Sequence, residues 1–218
     1  MANNTHLYGF RWSSSNGVPH PKPLLMPVAS GANFTVSGDA TNLNLNVGDV
    51  VTRLTSGFVS LCGGNENSQT SVAVFGVVVG MGPAGFFNGT RMVRQNFLQS
   101  GCTYGTNIER ISQVFVVPAA TGGFWEIDVD DNTTATTLLT YQALVGENAD
   151  HRNTPNDTLL QANPLLNIAS HGTSAALSCR IEGISTNFAN QDYSGTFVKM
   201  LIRFNKGQEP EYLLTGLA

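Results

Sequence analysis

The chain has 218 residues, of which 41% are hydrophobic and only 12% are charged, and its formal net charge is −4. This length suffices for one sizeable domain that buries its own core without a disulfide or a metal. The negative charge argues against a nucleic-acid partner, and the scarcity of Glu, Lys and Arg favours strands and turns over solvated helices.

Residues 1–30 are predicted to form an extended N-terminal arm. Prolines at positions 19, 21, 23 and 27 exclude a helix and favour a polyproline-like conformation. Apolar side chains accompany the prolines, whereas a solvated linker lacks them. The arm is therefore expected to pack either on this protein's own body or on another chain. The side chains chosen as its anchors are Tyr8, Phe10, Arg11, Trp12, Leu24 and Leu25.

Charge is unevenly distributed along the chain. The arm carries Arg11 and Lys22 and no acidic residue precedes Asp39, so the arm is +2 and the remainder is −6. This asymmetry arises either by chance in a charge-poor chain or because the arm lies on an acidic neighbour.

No membrane or secretory segment is expected. The N-terminus lacks an apolar leader region, and the longest apolar run, Val72–Phe87, falls short of the ~20 residues that a spanning helix needs. The cysteines, Cys62, Cys102 and Cys179, are odd in number and widely spaced, which predicts buried free thiols rather than a disulfide or zinc framework. These features predict a soluble protein made in a cytoplasm.

Residues 31–205 are predicted to form one all-β domain, followed by a C-terminal tail at residues 206–218. Short strands separated by Gly and Asn turns are typical of a β-sandwich, a jelly roll or a small closed barrel. Residues 146–163 are expected to be a long polar loop. The predicted strands, in chain order, are 43–47, 50–54, 58–62, 72–79, 90–98, 111–117, 124–130, 137–145, 175–184 and 196–204.

Two turns carry specific signals. Thr55–Gly57 predicts a hairpin with a left-handed glycine, and Asn88–Gly89 is a strong two-residue turn signal. Between them, Val72–Val79 is apolar on both faces, so it must be covered on both sides, by the body or by a partner. The glycine-rich loop that follows is tipped by Phe86 and Phe87, which we expect another subunit to cover if the loop is exposed.

The segment Gly80–Gly85 matches G-x-G-x-x-G, the pattern of a dinucleotide-binding loop. Such a loop needs a helix directly after the glycines to hold the pyrophosphate. Here Pro83 lies within the motif and Phe86 follows it, so we expect the exit of a buried strand and no cofactor.

Acidic residues alternate along one predicted strand. Glu126, Asp128 and Asp130 share a face, and the simplest expectation is a solvated outer face opposite Trp125, Ile127 and Val129. The same carboxylates leave a cation site or a glycosidase pair open as alternatives. His6 and His20 lie in the arm, and His151 and His171 lie in expected polar loops, with no metal-binding spacing. We therefore expect no catalytic residues, no metal and no enzymatic activity.

The order of several short motifs resembles the capsid decoration, or cement, proteins of tailed bacteriophages. The resemblance spans most of residues 8–205 in pattern rather than identity. The motifs are Tyr8–Arg11, Gly48–Val51, Ser56–Val59, Val74–Val79, Phe124–Val129, Cys179–Ile184 and Val198–Asn205, together with the start Met1–Asn3.

The resemblance implies a structural virion protein with a jelly-roll or barrel fold. Such a protein binds the outside of the capsid, has the major capsid protein and copies of itself (a homotrimer) as partners, and stabilises the junctions between capsomers. A carbohydrate-binding module associated with a tail or fibre, using Trp125, Tyr104 and Tyr193, is the alternative. A hydrolase using Glu126 or Asp128 is the third hypothesis.

Overall fold

The computed structural model describes residues 9–15, 22–28, 45–55, 57–62, 74–82, 85–87, 90–92, 97–98, 113–119, 123–130, 134–153, 164–186, 190, 192–194 and 197–205, with backbone alone for residues 14–15, 85–87, 90–92, 97–98 and 153. Its elements are β1(Arg11–Ser15), β2(Leu24–Pro27), β3(Leu45–Asn46), β4(Val50–Arg53), β5(Val59–Leu61), β6(Gly76–Met81), β7(Gly85–Phe87), β8(Thr90–Met92), β9(Phe97–Leu98), β10(Gln113–Pro118), β11(Gly123–Asp128), α1(Leu138–Ala143), β12(Asn148–Asn153), β13(Pro164–Gly172), β14(Cys179–Ile184) and β15(Lys199–Phe204).

Two antiparallel sheets form the body of the protein. The larger has the strand order β1-β11-β15-β14-β12-β13, and the smaller has the order β2-β10-β6-β4-β5. One apolar cluster joins them, with Trp125, Ile127 and Met200 from the larger sheet and Val50 and Val77 from the smaller. Sheets that bury side chains between them form a sandwich. The all-β prediction is therefore confirmed, and the architecture is a β-sandwich.

In each sheet, one single bridge connects residues at or near its two opposite edges. Val28 beside β2 forms a single parallel bridge with Val59 of β5, and Val129 after β11 forms one with Leu166 of β13. A closed barrel requires continuous ladders around the ring. Within the described residues, only these single bridges link the opposite edges of each sheet, so a closed barrel is not established.

The first half of β6, residues 76–78, is covered on both faces, as its two-sided apolar pattern predicts. Val77 is aligned with Val50 and Val117, which face the larger sheet. Val78 is aligned with Val116 in a second apolar cluster on the opposite face. The side chains that cover this part of β6 belong to this chain and not to a partner. The second cluster comprises Val28, Leu45, Val51, Val59, Leu61, Phe75, Val78, Val114 and Val116.

Both predicted turns join antiparallel strands. Gly57 has φ +82°, in the left-handed region, and its N–H donates to the Leu54 carbonyl at 2.9 Å between β4 and β5. Phe87 of β7 pairs with Thr90 of β8, so only Asn88 and Gly89 connect these strands. Because β7 begins at Gly85, the G-x-G-x-x-G segment leads into a strand and lacks the helix that a dinucleotide loop requires.

The N-terminal arm contributes a strand to each sheet. β1 lies at the edge of the larger sheet beside β11, and β2 lies at the edge of the smaller sheet beside β10. The residues before β1 are tied to the body as well, since the Phe10 N–H donates to the Gly48 carbonyl at 3.0 Å. The described parts of the arm, residues 9–15 and 22–28, are thus integrated into the sandwich. The predicted tail, residues 206–218, lies outside the described residues.

One predicted strand is a helix. Residues 137–145 were expected to be extended because they are rich in Thr and Leu, but α1 occupies their centre. Thr137 and Thr140 form a capping box at its start, with each hydroxyl accepting a hydrogen bond from the other's backbone N–H. Within the described ranges, no helix is long and apolar enough to cross a membrane.

The expected polar loop at residues 146–163 is also partly wrong. Residues 148–153 form β12, which pairs with β13, a strand that the alternation pattern does not predict. Asp150 of β12 is hydrogen-bonded across the sheet through both its backbone and its side chain. The Asp150 N–H donates to Ser170 Oγ at 2.9 Å, and the Asp150 carboxylate accepts from the Ser178 N–H at 2.9 Å. Hydrogen bonds across the sheet thus stabilise β12, a strand whose sequence lacks alternating apolar residues.

Two tryptophans fasten β1 to β11. Trp12 lies opposite Trp125 across the ladder, and their rings meet edge to face with centroids 5.2 Å apart. The Trp12 ring also covers Gly123, where it occupies the space that a Cβ atom would need. Gly123 is therefore required by the close approach of the indole.

We expect Gly123→Ala to lower the free energy of unfolding by about 2 kcal/mol, because the added methyl group displaces the Trp12 ring. Urea denaturation followed by tryptophan fluorescence measures this loss. Gly183→Ala in β14 is the matched control, because a Cβ there meets nothing within 4 Å, and its effect should stay within about 0.5 kcal/mol. Equal effects of the two substitutions would contradict this packing.

Candidate partner-binding site

The aromatic anchor Phe10 is part of this chain's own core. It is 3% exposed, and its ring lies 5.0 Å from the Phe204 ring and 5.8 Å from the His151 ring, measured between centroids. Trp12, packed on Trp125, is half-buried. Of the two possibilities that the sequence left open, these two residues pack on their own body. They are not exposed anchors for a capsid.

Arg11 meets an acidic neighbour, but the neighbour belongs to the same chain. Its guanidinium lies 2.5 Å from the Glu126 carboxylate, and the other carboxylate oxygen of Glu126 accepts a hydrogen bond from the Ser185 hydroxyl. The positive arm is thus held on the larger sheet by an ion pair. The excess positive charge of the arm thus serves, through Arg11, to bind an acidic residue of the same chain.

The acidic face of β11 is covered, which corrects the expectation of a solvated outer face. Glu126 and Asp128 are both buried. Asp128 lies beside Lys199, with Oδ1 and Nζ 3.3 Å apart, and Asp130 Oδ2 lies 2.9 Å from Arg152 Nε. The alternation along the strand is real, but Arg11 and Ser185 contact Glu126, and Lys199 contacts Asp128, so side chains of this chain cover the second face.

Burial dominates the electrostatics of Asp128. Loss of water raises the pKa of its carboxyl to about 6, and the positive charge of Lys199 opposes this rise only in part. Each acid of the row has a basic neighbour on the same chain. Among the described residues, no three His, Cys, Asp or Glu side chains come together in a way that could hold a metal ion.

The two arm leucines are exposed, in contrast to Phe10. Leu24 is 43% exposed and Leu25 is 44% exposed, both on β2 at the edge of the smaller sheet. Val79 on β6 is also exposed, and β10 alone separates β6 from β2. Leu24 and Leu25 are consecutive on β2, so their side chains point to opposite faces of the smaller sheet. We call this exposed strand edge, together with Val79 on β6, the β2 patch. Of the predicted anchors, only this leucine pair has side chains shown to be exposed.

Three other predicted anchors cannot be located as side chains. Tyr8 lies outside the described residues. The expectation that Phe86 and Phe87 tip a loop is wrong, because their backbone forms β7. Their side chains lie outside what the structure describes. Their predicted contact with another subunit remains a prediction.

A second apolar surface lies at α1 and has no counterpart in the sequence predictions. Leu139 is 75% exposed, and Leu138 and Val145 are exposed beside it, whereas Tyr141 of the same helix is buried. The helical period puts Tyr141 inward and Leu139 outward. The mistaken strand assignment for residues 137–145 concealed this surface, and a helical capping signal at Thr137 is what could have revealed it.

The aromatic candidates for a glycan site are not arranged as an exposed platform. Trp125 is fully buried between β1 and the core, which removes it from such a role. Tyr193 is half-buried against Tyr141, with ring centroids 6.2 Å apart, and Tyr104 lies outside the described residues.

His151 was expected in a polar loop but is buried in β12. Its Nδ1 lies 2.9 Å from the Ser178 hydroxyl, which in turn lies 3.5 Å from Cys179 Sγ. This places a serine, a histidine and a thiol together, but burial raises the pKa of the Cys179 thiol to about 12. The thiol therefore stays protonated and unreactive. Cys62 is likewise a buried free thiol, as predicted, and Cys102 lies outside the described residues.

Comparison with known proteins gives no relative, since no family model, curated protein or solved structure matches this chain.

The buried imidazole of His151 makes stability depend on pH. Burial lowers its pKa from 6.5 to about 4, so the unfolded chain binds a proton at higher pH than the folded protein does. The stabilisation by neutral His151 is present above pH 6.5 and is lost as pH falls toward 4. Between pH 7 and pH 4, wild type should lose about 3 kcal/mol more stability than His151→Asn.

Urea denaturation of both proteins at steps across this pH range measures the difference. Subtracting the two curves removes the titration of other groups that both proteins share. A difference that does not change with pH would contradict a neutral, buried His151.

Proposed function

We propose that this chain is a structural virion protein that binds the outer surface of a tailed-phage capsid and stabilises the junctions between capsomers. The observation that carries the proposal is the β2 patch, an exposed leucine pair on the edge strand of an arm in which Phe10 is buried and Trp12 is half-buried. The charge-poor surface and the order of sequence motifs shared with cement proteins also support it.

The geometry of the β2 patch suits a docking surface. Neighbouring strands lie about 4.8 Å apart, so Val79 on β6 lies about 10 Å from β2. Single exposed apolar residues are ordinary on protein surfaces, so the proposal relies on two of them lying on one edge strand, where a partner that pairs with the edge contacts both faces of the sheet. A patch of this kind is where the major capsid protein would gain apolar contact.

A small patch alone is a weak anchor, because stable interfaces bury about 1,600 Å² in total. Several copies joined in one oligomer bind together with far higher effective affinity. We therefore propose a homotrimer, following the cement-protein resemblance.

The β2 patch also determines how the proposal should be tested. Deletion of residues 2–28 would remove β1, β2, Phe10 and Val28, and with them part of both sheets and both clusters. Loss of binding after such a deletion would report unfolding. Substitution of exposed side chains leaves the core intact and isolates the surface.

The double substitution Leu24→Asp and Leu25→Asp should weaken binding to capsid shells by about tenfold or more, because charge at a buried apolar contact opposes association. Co-sedimentation of the full chain with shells assembled from the major capsid protein of the same virus measures the affinity. Leu139→Asp, at the exposed position on α1, is the matched control and should bind like wild type.

A wild-type chain that does not sediment with the shells would overturn the capsid proposal. Wild-type binding that survives the double substitution but is lost in Leu139→Asp would keep the capsid proposal and move the contact surface to α1. Both variants should retain the far-UV circular dichroism of the wild type.

The oligomer is tested separately by sedimentation equilibrium of the purified chain. A trimer has three times the mass of one chain, and dilution should shift it toward smaller species. A monomer at every accessible concentration would contradict self-association and would leave direct capsid binding in place.

A further inference from the structure

Lys199 and Asp128 face each other inside the larger sheet. They are directly opposed in the antiparallel register of β11 and β15. Lys199 is 0% exposed, and its Nζ lies 3.3 Å from Asp128 Oδ1. An amine and a carboxyl group are therefore held side by side, away from water, on two neighbouring strands.

As a simple ion pair, this arrangement is poorly satisfied. An ammonium group has three donors, and the hydrogen bond shown for Nζ goes to the Phe197 carbonyl at 3.4 Å. Asp128 Oδ1 accepts no hydrogen bond within the described structure despite its short distance to Nζ. Buried charges need excellent hydrogen bonding to offset the loss of water.

The neutral form of the pair avoids that cost. Burial penalises the charged form of the Asp128 carboxyl and raises its pKa to about 6, although Lys199 lowers it. The site therefore favours the protonated acid that an attacking amine requires. A neutral lysine amine in a desolvated site is a nucleophile.

The backbone around Lys199 is clamped from both sides. Its N–H donates to Asn190 Oδ1 at 3.0 Å, and Asn190 Nδ2 donates to the carbonyls of Lys199 and Ser185 at 3.1 and 3.0 Å. Phe197, whose carbonyl accepts from Nζ, has φ +62°, a conformation that non-glycine residues rarely adopt. Fixed proximity of two reacting groups lowers the barrier to their reaction.

We propose that Lys199 and Asp128 form an intramolecular isopeptide bond, with Glu126 carrying the proton. Nζ attacks Cγ of the protonated Asp128 carboxyl and loses one proton to the Glu126 carboxylate. Glu126 returns this proton to the departing hydroxyl, which leaves as water while the Cγ–O bond breaks. One N–C bond forms, one water is released, Glu126 is regenerated, and no oxidant or reductant is needed.

The position of Glu126 suits this role. It lies two residues before Asp128 on the same strand face, it is buried, and its charge contributes to the rise in the pKa of Asp128. Arg11 and the Ser185 hydroxyl hold its two carboxylate oxygens. The bond would link β11 to β15 covalently, on the sheet face that carries Glu126 and Asp128.

Intact-mass spectrometry of the denatured, full-length protein tests the proposal. The expected mass is lower than the sequence mass by one water molecule. Trypsin should then yield residues 111–152 joined to residues 181–203, because cleavage after an acylated Lys199 is blocked. The fragment spectra should place the link between Asp128 and Lys199.

An unmodified wild-type mass would overturn the proposal. So would a water loss without the joined peptides, because an aspartyl succinimide gives the same mass. Lys199→Arg should restore the full sequence mass, and this substitution retains the positive charge beside Asp128.

The role of Glu126 is tested by a matched pair of substitutions. Glu126→Gln keeps the shape of the side chain but cannot accept a proton, so the bond should be absent or form at least tenfold more slowly. Arg11→Met breaks the same ion pair but leaves the carboxylate, so the bond should still form. Equal bond yield in Glu126→Gln and wild type would contradict proton transfer by Glu126.

Discussion

The pairing of β1 with β11 is the contact on which the rest of the structure depends. Trp12 on Gly123 and Trp125, together with the Arg11–Glu126 ion pair, joins the N-terminal arm to the larger sheet. The same pairing covers the polar face of β11. Aromatic packing and a partly buried ion pair thus act together, so that a proline-rich segment becomes part of the sandwich instead of a free tether.

Strand β2 is held at the edge of the smaller sheet by its pairing with β10. Phe10 fills the core while Leu24 and Leu25 stay exposed. The arm therefore divides its apolar residues between folding and the proposed contact with a capsid. A partner that binds β2 would contact an edge strand of the smaller sheet. Binding of the proposed partner would therefore also affect the stability of the body.

Local sequence signals predicted much of the fold because their causes are local. A left-handed Gly57, the Asn88–Gly89 turn and the two-sided apolar strand β6 were all predicted correctly. The burial of the acidic face of β11 was not predicted, because alternation along one strand carries no information about which distant segments contact it. Helix α1 was missed because its start depends on threonine hydroxyls at the N-cap, whereas threonine favours strands.

The central claim is that the arm folds with the body and leaves the leucines of β2 for a partner. Hydrogen exchange of the purified chain, read by mass spectrometry on peptides covering β1 and β11, tests it most directly. The account predicts that the amides of Arg11–Ser15 paired with β11 are protected and exchange together with those of β11. Exchange of β1 at the rate of an unfolded chain, while β11 stays protected, would contradict it.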